Sequence, residues 1–417
     1  MTRRFKVFVV LVVMALIAAG GMVAAWARHD DGEPVTILGT WTGAQETQFE
    51  SLLRGFGIPF QYQGTAAQRE VLLSKVQSGE PPDIVIMPGI GELAEYADQN
   101  RLKPLDRLYD PAQYGAPWNA TGTYSSHVYW VPVKADLKSI VWYRQGEKPP
   151  ESPASLRSWC IGMGDDGASG WPGTDWIEDL VLQRSGPAVY EKWALDTGPT
   201  QWWRSTPVRS AWEAWAKLLG EDRTAARHAL LTDHRGASGG HGLLFDGWGG
   251  CRLEHQGSFA RSFYASDAPQ ARLMDSAPLL PGGGPVRAHE VTGDFAALFS
   301  DSPQARTLIR KLASKEGQQK WAHLGVFSAN RQVTSEDGPI EREISERLRT
   351  GPRCLDASDV MAPAVRDAFY GAVLETIARV AAHQSPGIPG LLQDVQRVQD
   401  AQGPHSTAAP RTVCSTR

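Results

Sequence analysis

The chain has 417 residues, 42% of them apolar, and a formal net charge of -4. That is enough apolar material for real cores, and the near balance of charge leaves no basic stripe of the kind nucleic-acid binding requires. Its four cysteines, Cys160, Cys251, Cys354 and Cys414, form no C-x-x-C pair, which argues against a zinc knuckle or a redox dithiol.

The first residues stand apart from the rest. Arg3, Arg4 and Lys6 precede an uncharged run from Val7 to Trp26, and Ala25-Trp26-Ala27 offers a small-x-small cleavage site. Residues 1–27 are therefore expected to be a signal peptide or an N-terminal membrane anchor, with a slight lean to retention. The basic flank places the remainder outside the cytoplasm, extracellular or at the cell surface. No cysteine follows the apolar run, so no lipid can be attached there. About 390 residues remain, which suggests two domains.

Val35 to Gly39 reads as a strand, and residues 45–56 carry apolar side chains at helical spacing. A short strand over 59–62, a helix over 68–77, an apolar strand at Ile84-Val85-Ile86-Met87 and a helix over 90–99 follow. Strands alternating with helices argue a parallel α/β sheet, whose strand ends are where ligands bind. Further strands are predicted at 129–133 and 140–143. Residues 178–220 read as helix-rich, with Trp193, Trp202, Trp203, Trp212 and Trp215, and residues 234–250 as Gly-rich loop. Pro281-Gly282-Gly283-Gly284-Pro285 is a natural hinge, Ser302-Pro303 opens a helix, and 361–382 and 390–400 are predicted helices. Residues 401–417 read as a polar tail apart from Cys414.

The motifs in this order resemble the extracellular solute-binding proteins of bacterial ABC importers, in the carbohydrate-binding branch with maltose- and α-glucoside-type binders. The stretches that carry the resemblance are VTILGTWTGAQETQFESLL, SGEPPDIVIMPGIGELAEYADQNRLKPLD, VYWVPVKADLKSIVWYR, WCIGMGDDGASGWPGTDWIEDLVL, HQGSF and EVTGDFAALFSDSPQARTLIRKLASKEGQQKWAHLGVFSANR, with CLDASDVMAPAVRDAF near the end. It implies an α/β, two-lobed periplasmic-binding-protein-like fold with a multi-strand hinge and an interlobe ligand cleft. Lobe 1 is expected over 34–131 plus 286–330 and lobe 2 over 132–285 plus 331–400, with crossings near 131–134, near 281–287 and after Arg331. It further implies a monomer that takes a saccharide to ABC permease transmembrane subunits, with no cofactor and no nucleic acid. The missing lipid-attachment cysteine departs from the Gram-positive pattern and leaves the anchoring mode open.

Candidate ligand residues sit on turns and strand ends. Trp171 and Trp176 bracket Pro-Gly-Thr-Asp, and an indole face matches the C–H face of a sugar while carboxylates match its hydroxyls. Asp175, three residues before Glu178, reads equally as the capping residue of a helix that ends at Ser185-Gly186-Pro187. The residues alone favour packing and capping for this turn; the resemblance favours the cleft. Trp41 and Glu46 follow the first strand, though Glu46 also suits a first helical turn. Gln68, Gly89 at the Pro88-Gly89 strand end, Trp248, Gln256, Ser258 and Asp294 complete the candidates, with helix capping the competing reading for Asp294.

No enzyme site is expected, either catalytic or metal. Gly236-Ala237-Ser238-Gly239-Gly240 matches Gly-x-Ser-x-Gly but lacks the strand–turn–helix context of a nucleophile elbow. Asp165-Asp166 and Glu178-Asp179 are adjacent carboxylates, whereas glycoside hydrolysis needs them flanking a bond. A membrane-tethered sugar sensor and, less favoured, a secreted glycoside hydrolase are the rival readings. Export and an even cysteine count allow three disulfide pairings; Cys160–Cys251 and Cys354–Cys414 are expected, because Cys160 and Cys251 both adjoin Trp- and Gly-rich segments.

Overall fold

The computed structural model describes residues 33–119, 127–237, 241–334, 338–402, 406 and 408–415. The expected signal or anchor at 1–27 and Ser238 of the Gly-x-Ser-x-Gly match lie outside the described residues. Among the described residues no helix is long and apolar enough to cross a membrane.

The first lobe opens with β1 (Val35–Gly39), α1 (Gly43–Arg54), β2 (Phe60–Gly64), α2 (Gln68–Ser78), β3 (Ile84–Met87) and α3 (Ile90–Asp98), alternating as the sequence pattern predicts. β1 lies parallel between β2 and β3. β3 is buried at all positions of Ile-Val-Ile-Met, which is what a strand covered on both faces demands.

Then come β4 (Trp130–Leu137), β5 (Ile140–Arg144), α4 (Trp171–Ser185), α5 (Pro187–Ala194), α6 (Thr206–Leu219), α7 (Arg223–Leu231), α8 (Gly242–Asp246), β6 (Leu253–His255) and β7 (Ala271–Asp275). β5 pairs antiparallel with β6 on one side and β7 on the other, a small second sheet. Trp193, Trp203, Trp212 and Trp215 are fully buried, and Trp203 and Trp212 close on Phe369 with ring centroids 4.9 and 5.8 Å away. This is the core of the helical second lobe. The Gly-rich stretch read as loop over 234–250 holds α8, because Leu243 and Leu244 bury against the second lobe.

β8 (His289–Leu298) follows, then α9 (Pro303–Ala313), α10 (Lys315–Ala322), α11 (Pro339–Arg349), β9 (Arg353–Leu355), α12 (Ala357–Val360), α13 (Pro363–Ala381), α14 (Ile388–Asp400) and β10 (Cys414–Ser415). Ser302 caps α9 as expected, its hydroxyl accepting the Ala305 N–H at 3.1 Å. Near 281–287 the chain turns, Gly283 N–H donating to the Leu280 carbonyl at 2.8 Å. The tail is not a loose polar end. β10 pairs with β9, and Glu191 accepts the N–H groups of Val413 and Cys414 at 2.9 Å each. Both expected disulfides are formed, with Cα separations of 5.2 Å for Cys160–Cys251 and 4.0 Å for Cys354–Cys414.

The pairing of β8 positions the site. One edge of β8 is occupied by β4 along most of its length, antiparallel, with an irregularity at Val133 between Pro132 and Lys134. The other edge is shared: β3 takes Phe295–Leu298 and β9 takes His289–Val291. Thr292, Gly293 and Asp294 fall between those partners. The carboxyl ends of β3 and β9 both run toward this gap.

Candidate functional site

A cavity of about 460 Å³ opens at the gap. It takes Trp41 from the loop after β1, Gln68 from the start of α2, Gly89 after β3, Trp171 and Asp175 from the first two turns of α4, and Asp294 from β8. Those six were candidates in the sequence. Its other walls come from residues the sequence reading passed over, chiefly Lys134 and Asp136 of β4 and Lys138 just past its end, Phe259, Asp356 at the start of α12 and Asp359 within it, and Arg366 of α13.

The β4 contribution follows from strand periodicity. Alternate residues of a strand face the same side, so Lys134, Asp136 and Lys138 line the cavity while Ala135 and Leu137 are fully buried on the other face. A period-two row of charges inside Val-Pro-Val-Lys-Ala-Asp-Leu-Lys was the signal that could have found them. The register sets Lys134 opposite Asp294 across the ladder. Its ammonium lies 2.8 Å from Asp136 and 3.5 Å from Asp294. The Trp41 indole N–H also donates to Asp294, at 3.2 Å. Asp294 is thus a strand residue with two partners, and the capping alternative for it does not apply.

Lys138 is the centre of a second cluster. Its ammonium is 2.8 Å from Asp175, in contact with Asp356, and 3.8 Å from Glu290. Burial pulls an ammonium down, but these carboxylates outweigh it and hold Lys138 well above its ordinary range. Burial lifts Asp175 to about 6 against the pull of Lys138, helped by the charge of Asp356. Burial and the neighbouring acids raise Glu178 and Glu290 well above the carboxylate range. Both Glu290 oxygens are buried without a donor. Asp175, Glu290 and Asp356 bring oxygens within 4.8 Å of one another, as a metal cage would, but the Lys138 ammonium already lies against them.

The helix that presents Trp171 and Asp175 starts earlier than predicted. α4 begins at Trp171 with Pro172 in its first turn, and Gly170 enters it at φ 106°. A side chain at Gly170 would also collide with the Tyr370 carbonyl, its Cβ lying 2.8 Å from that oxygen. Asp175 is therefore an interior helical residue whose carboxylate takes Lys138, and the capping alternative does not apply to it. Trp171 stays half-buried at the cavity, its N–H donating to Asp165 at 2.8 Å and its ring edge-on to His234 and Phe259.

The remaining candidates stand elsewhere. Trp176 is 1% exposed and packs against Trp159 and His255, with centroids 4.8 and 4.6 Å away, inside the second lobe rather than on the cavity wall. Glu46 sits in the first turn of α1 and does not reach the lining. Gln256 is buried, its amide donating to the His234 carbonyl at 3.3 Å. Ser258 lies behind the wall, donating to Asp136 at 2.7 Å and accepting from Leu137 N–H at 3.0 Å. Trp248 stacks on His228 at 3.6 Å, 47% exposed, beside a separate cavity near the Cys160–Cys251 disulfide. Gln68 lines the cavity but also ties two strand ends, donating to the carbonyls of Ile86 at 2.6 Å and Leu38 at 3.3 Å.

Residues 36–319 match the family model of the bacterial extracellular solute-binding proteins. The chain is 28% identical to the alpha-glucosides-binding periplasmic protein AglE of Rhizobium meliloti strain 1021, over 80% of this chain and 81% of that protein. It is 29% identical to the osmoprotective compounds-binding protein GgtB of Synechocystis, over 81% and 86%. Its fold is similar to that of the bacterial solute receptor AcbH, described as having an exclusive preference for β-D-galactopyranose. That match has a TM-score of 0.67 at 14% identity, over 88% of this chain and 98% of that one.

Proposed function

The chain belongs to the bacterial extracellular solute-binding protein family, and we propose that within it the protein is a receptor for a di- or oligosaccharide of the α-glucoside type. It holds the sugar in the cavity between its lobes and hands it to the permease subunits of an ABC importer. Residues 1–27 direct it out of the cytoplasm, as a cleaved signal or a retained anchor. It acts as a monomer without turnover of its ligand. Lobe 1 comprises 34–131 plus 286–330 and lobe 2 comprises 132–285 plus 331–400. The lobes close by bending at the strands they share, β4 and β8.

The observation that carries this reading is the composition of the cavity wall. Each lobe contributes one indole, Trp41 and Trp171, to a cavity within the size range of small-molecule sites, and hydroxyl-binding carboxylates line the floor. The relative AglE, by its name an α-glucoside binder, favours that ligand class. Thermal-shift screening of residues 28–417 against a sugar panel tests it, since a ligand of the native state raises the melting midpoint by mass action. A shift with maltose or another α-glucoside is expected. A panel in which only amino acids or peptides shift the midpoint overturns the saccharide assignment, and release of free sugar from a glycoside overturns the receptor reading.

A further inference from the structure

The main cavity has a neighbour. Trp41, Gln45, Lys134, Asp136, Phe259 and Ser262 line it and also line a smaller chamber of about 180 Å³. The remaining walls of that chamber come from residues that do not reach the main cavity, among them Arg261, Trp321 of α10, Phe327 and Glu341 of α11. The shared boundary holds the Phe259 ring, with the Lys134 ammonium 5.8 Å over its centroid, and a hydrogen bond from the Gln45 amide to the Ser262 hydroxyl. That bond is 3.3 Å long and exposed, so a ligand hydroxyl can replace it at little net cost. The chamber is smaller than sites that hold a whole ligand, which run to about 300 Å³ and upward. It suits one part of a ligand whose bulk lies next door.

Its wall has the character a sugar ring requires. Trp41 and Trp321 stand with ring centroids 5.5 Å apart, and Phe259 and Phe327 add to the aromatic surface, which matches the C–H face of a pyranose. Gln45, Ser262, Arg261 and Glu341 bring donors and acceptors for its hydroxyls. A second observation is independent of the lining. The Arg261 Nε–H is buried and has no acceptor, although one terminal nitrogen contacts Glu341 and the other donates to the Ala268 carbonyl at 3.5 Å. A fold rarely keeps a buried donor unanswered. An oxygen entering the chamber answers this one.

Resting on the saccharide reading, we propose that the side chamber is a subsite for a terminal sugar unit, so that the receptor takes a trisaccharide in preference to a disaccharide. The first two units occupy the main cavity between Trp41 and Trp171. The next passes the Gln45–Ser262 contact and lies against Phe259, with one of its oxygens accepting from Arg261 Nε.

Calorimetric titration of the full chain with maltose, maltotriose and maltotetraose tests this. Maltotriose is expected to bind about tenfold or more tightly than maltose, from one added ring contact and one added hydrogen bond. Maltotetraose should gain less than about threefold on maltotriose, because the chamber has no room for a further ring. In Arg261→Met the ratio of maltotriose to maltose affinity should fall toward unity. That ratio is read within one folded protein, so a general loss of stability does not mimic it, and the parent comparison decides the matter if the variant does not fold. Equal affinities for maltose and maltotriose in the parent overturn the inference while leaving the saccharide reading intact. A ratio unchanged in Arg261→Met also overturns it. If no saccharide of any length shifts the melting midpoint, both fail together.

Discussion

The Lys138 ammonium lies 2.8 Å from the Asp175 carboxylate, joining the end of β4 to the second turn of α4 at the cavity floor. With Asp356 on its other side, Lys138 ties three elements that are far apart in the sequence. Lys138→Met should leave buried carboxylates without their counter-charge and cost about 3–5 kcal/mol of stability. Urea unfolding measures it. Adding Asp175→Asn to the Met variant should restore part of the loss, because one of the stranded charges is gone. A Met variant as stable as the parent would mean the cluster is already neutral without its lysine.

Trp171→Ala and Trp176→Ala should separate cleanly. Trp171 faces the cavity, so its loss should weaken saccharide binding by ~2 kcal/mol, roughly thirtyfold, with a small change in melting. Trp176 is packed on Trp159 and His255, so its loss should destabilise the fold by ~3–5 kcal/mol while the folded fraction binds normally. Calorimetric titration and thermal melts on both variants check this; equal loss of affinity in the two would contradict the placement of Trp176.

Glu254 predicts a pH effect on stability. Burial lifts its carboxyl to about 8, against the donated bonds from the Tyr264 hydroxyl and Leu244 N–H. A raised value means the folded protein holds the proton more tightly than the unfolded chain, where glutamate titrates near ~4.3. Stability from this group is then fullest below about pH 4 and is lost as pH rises toward 8, at roughly 1 kcal/mol per pH unit. Glu254→Gln mimics the protonated form and should gain on the parent steadily from pH 5 to 8. Urea unfolding at pH 5, 6.5 and 8 reads the difference, and a flat difference would rule the effect out.

The Cys354–Cys414 bridge closes a separation of 60 residues, worth roughly 4 kcal/mol in the chain-entropy picture. Cys354→Ala with Cys414→Ala should lower stability by about 2–4 kcal/mol. It should also loosen the pairing of β10 with β9, seen as faster amide exchange at Leu355, whose N–H donates to Val413. Unchanged exchange there would show that Glu191 alone holds the end of the chain.

Much of the fold is legible because local pattern and tertiary placement agree. The apolar run Ile84–Met87, the Ser302-Pro303 cap and the helix over 363–381 are specified by neighbours in sequence. The Trp171–Trp176 pair is where that logic gives out. Five helical residues turn about 140° beyond a full circle, so once α4 starts at Trp171 the two rings face different directions. A helix starting at Asp175 would have left Trp171 in a loop and free to act with Trp176. The true start depends on Gly170 fitting under Tyr370 and on Lys138 engaging Asp175, both long-range contacts. The pairing of β10 was equally hidden, because a two-residue strand carries no period.

The irregularity in β4 has a consequence for how this site can change. Val133 is the odd residue out in an otherwise regular ladder, and it sets the phase of everything after it. Removing that one residue would shift the parity of the strand beyond it. Ala135 and Leu137 would turn to the opening and three charged side chains would be driven into apolar packing. The cavity wall and the β4–β8 pairing are therefore written in the same count of residues. Exchanging side chains at Lys134, Asp136 or Lys138 changes the lining of the cavity, but lengthening or shortening the strand there would disrupt the wall and the β4–β8 ladder at once.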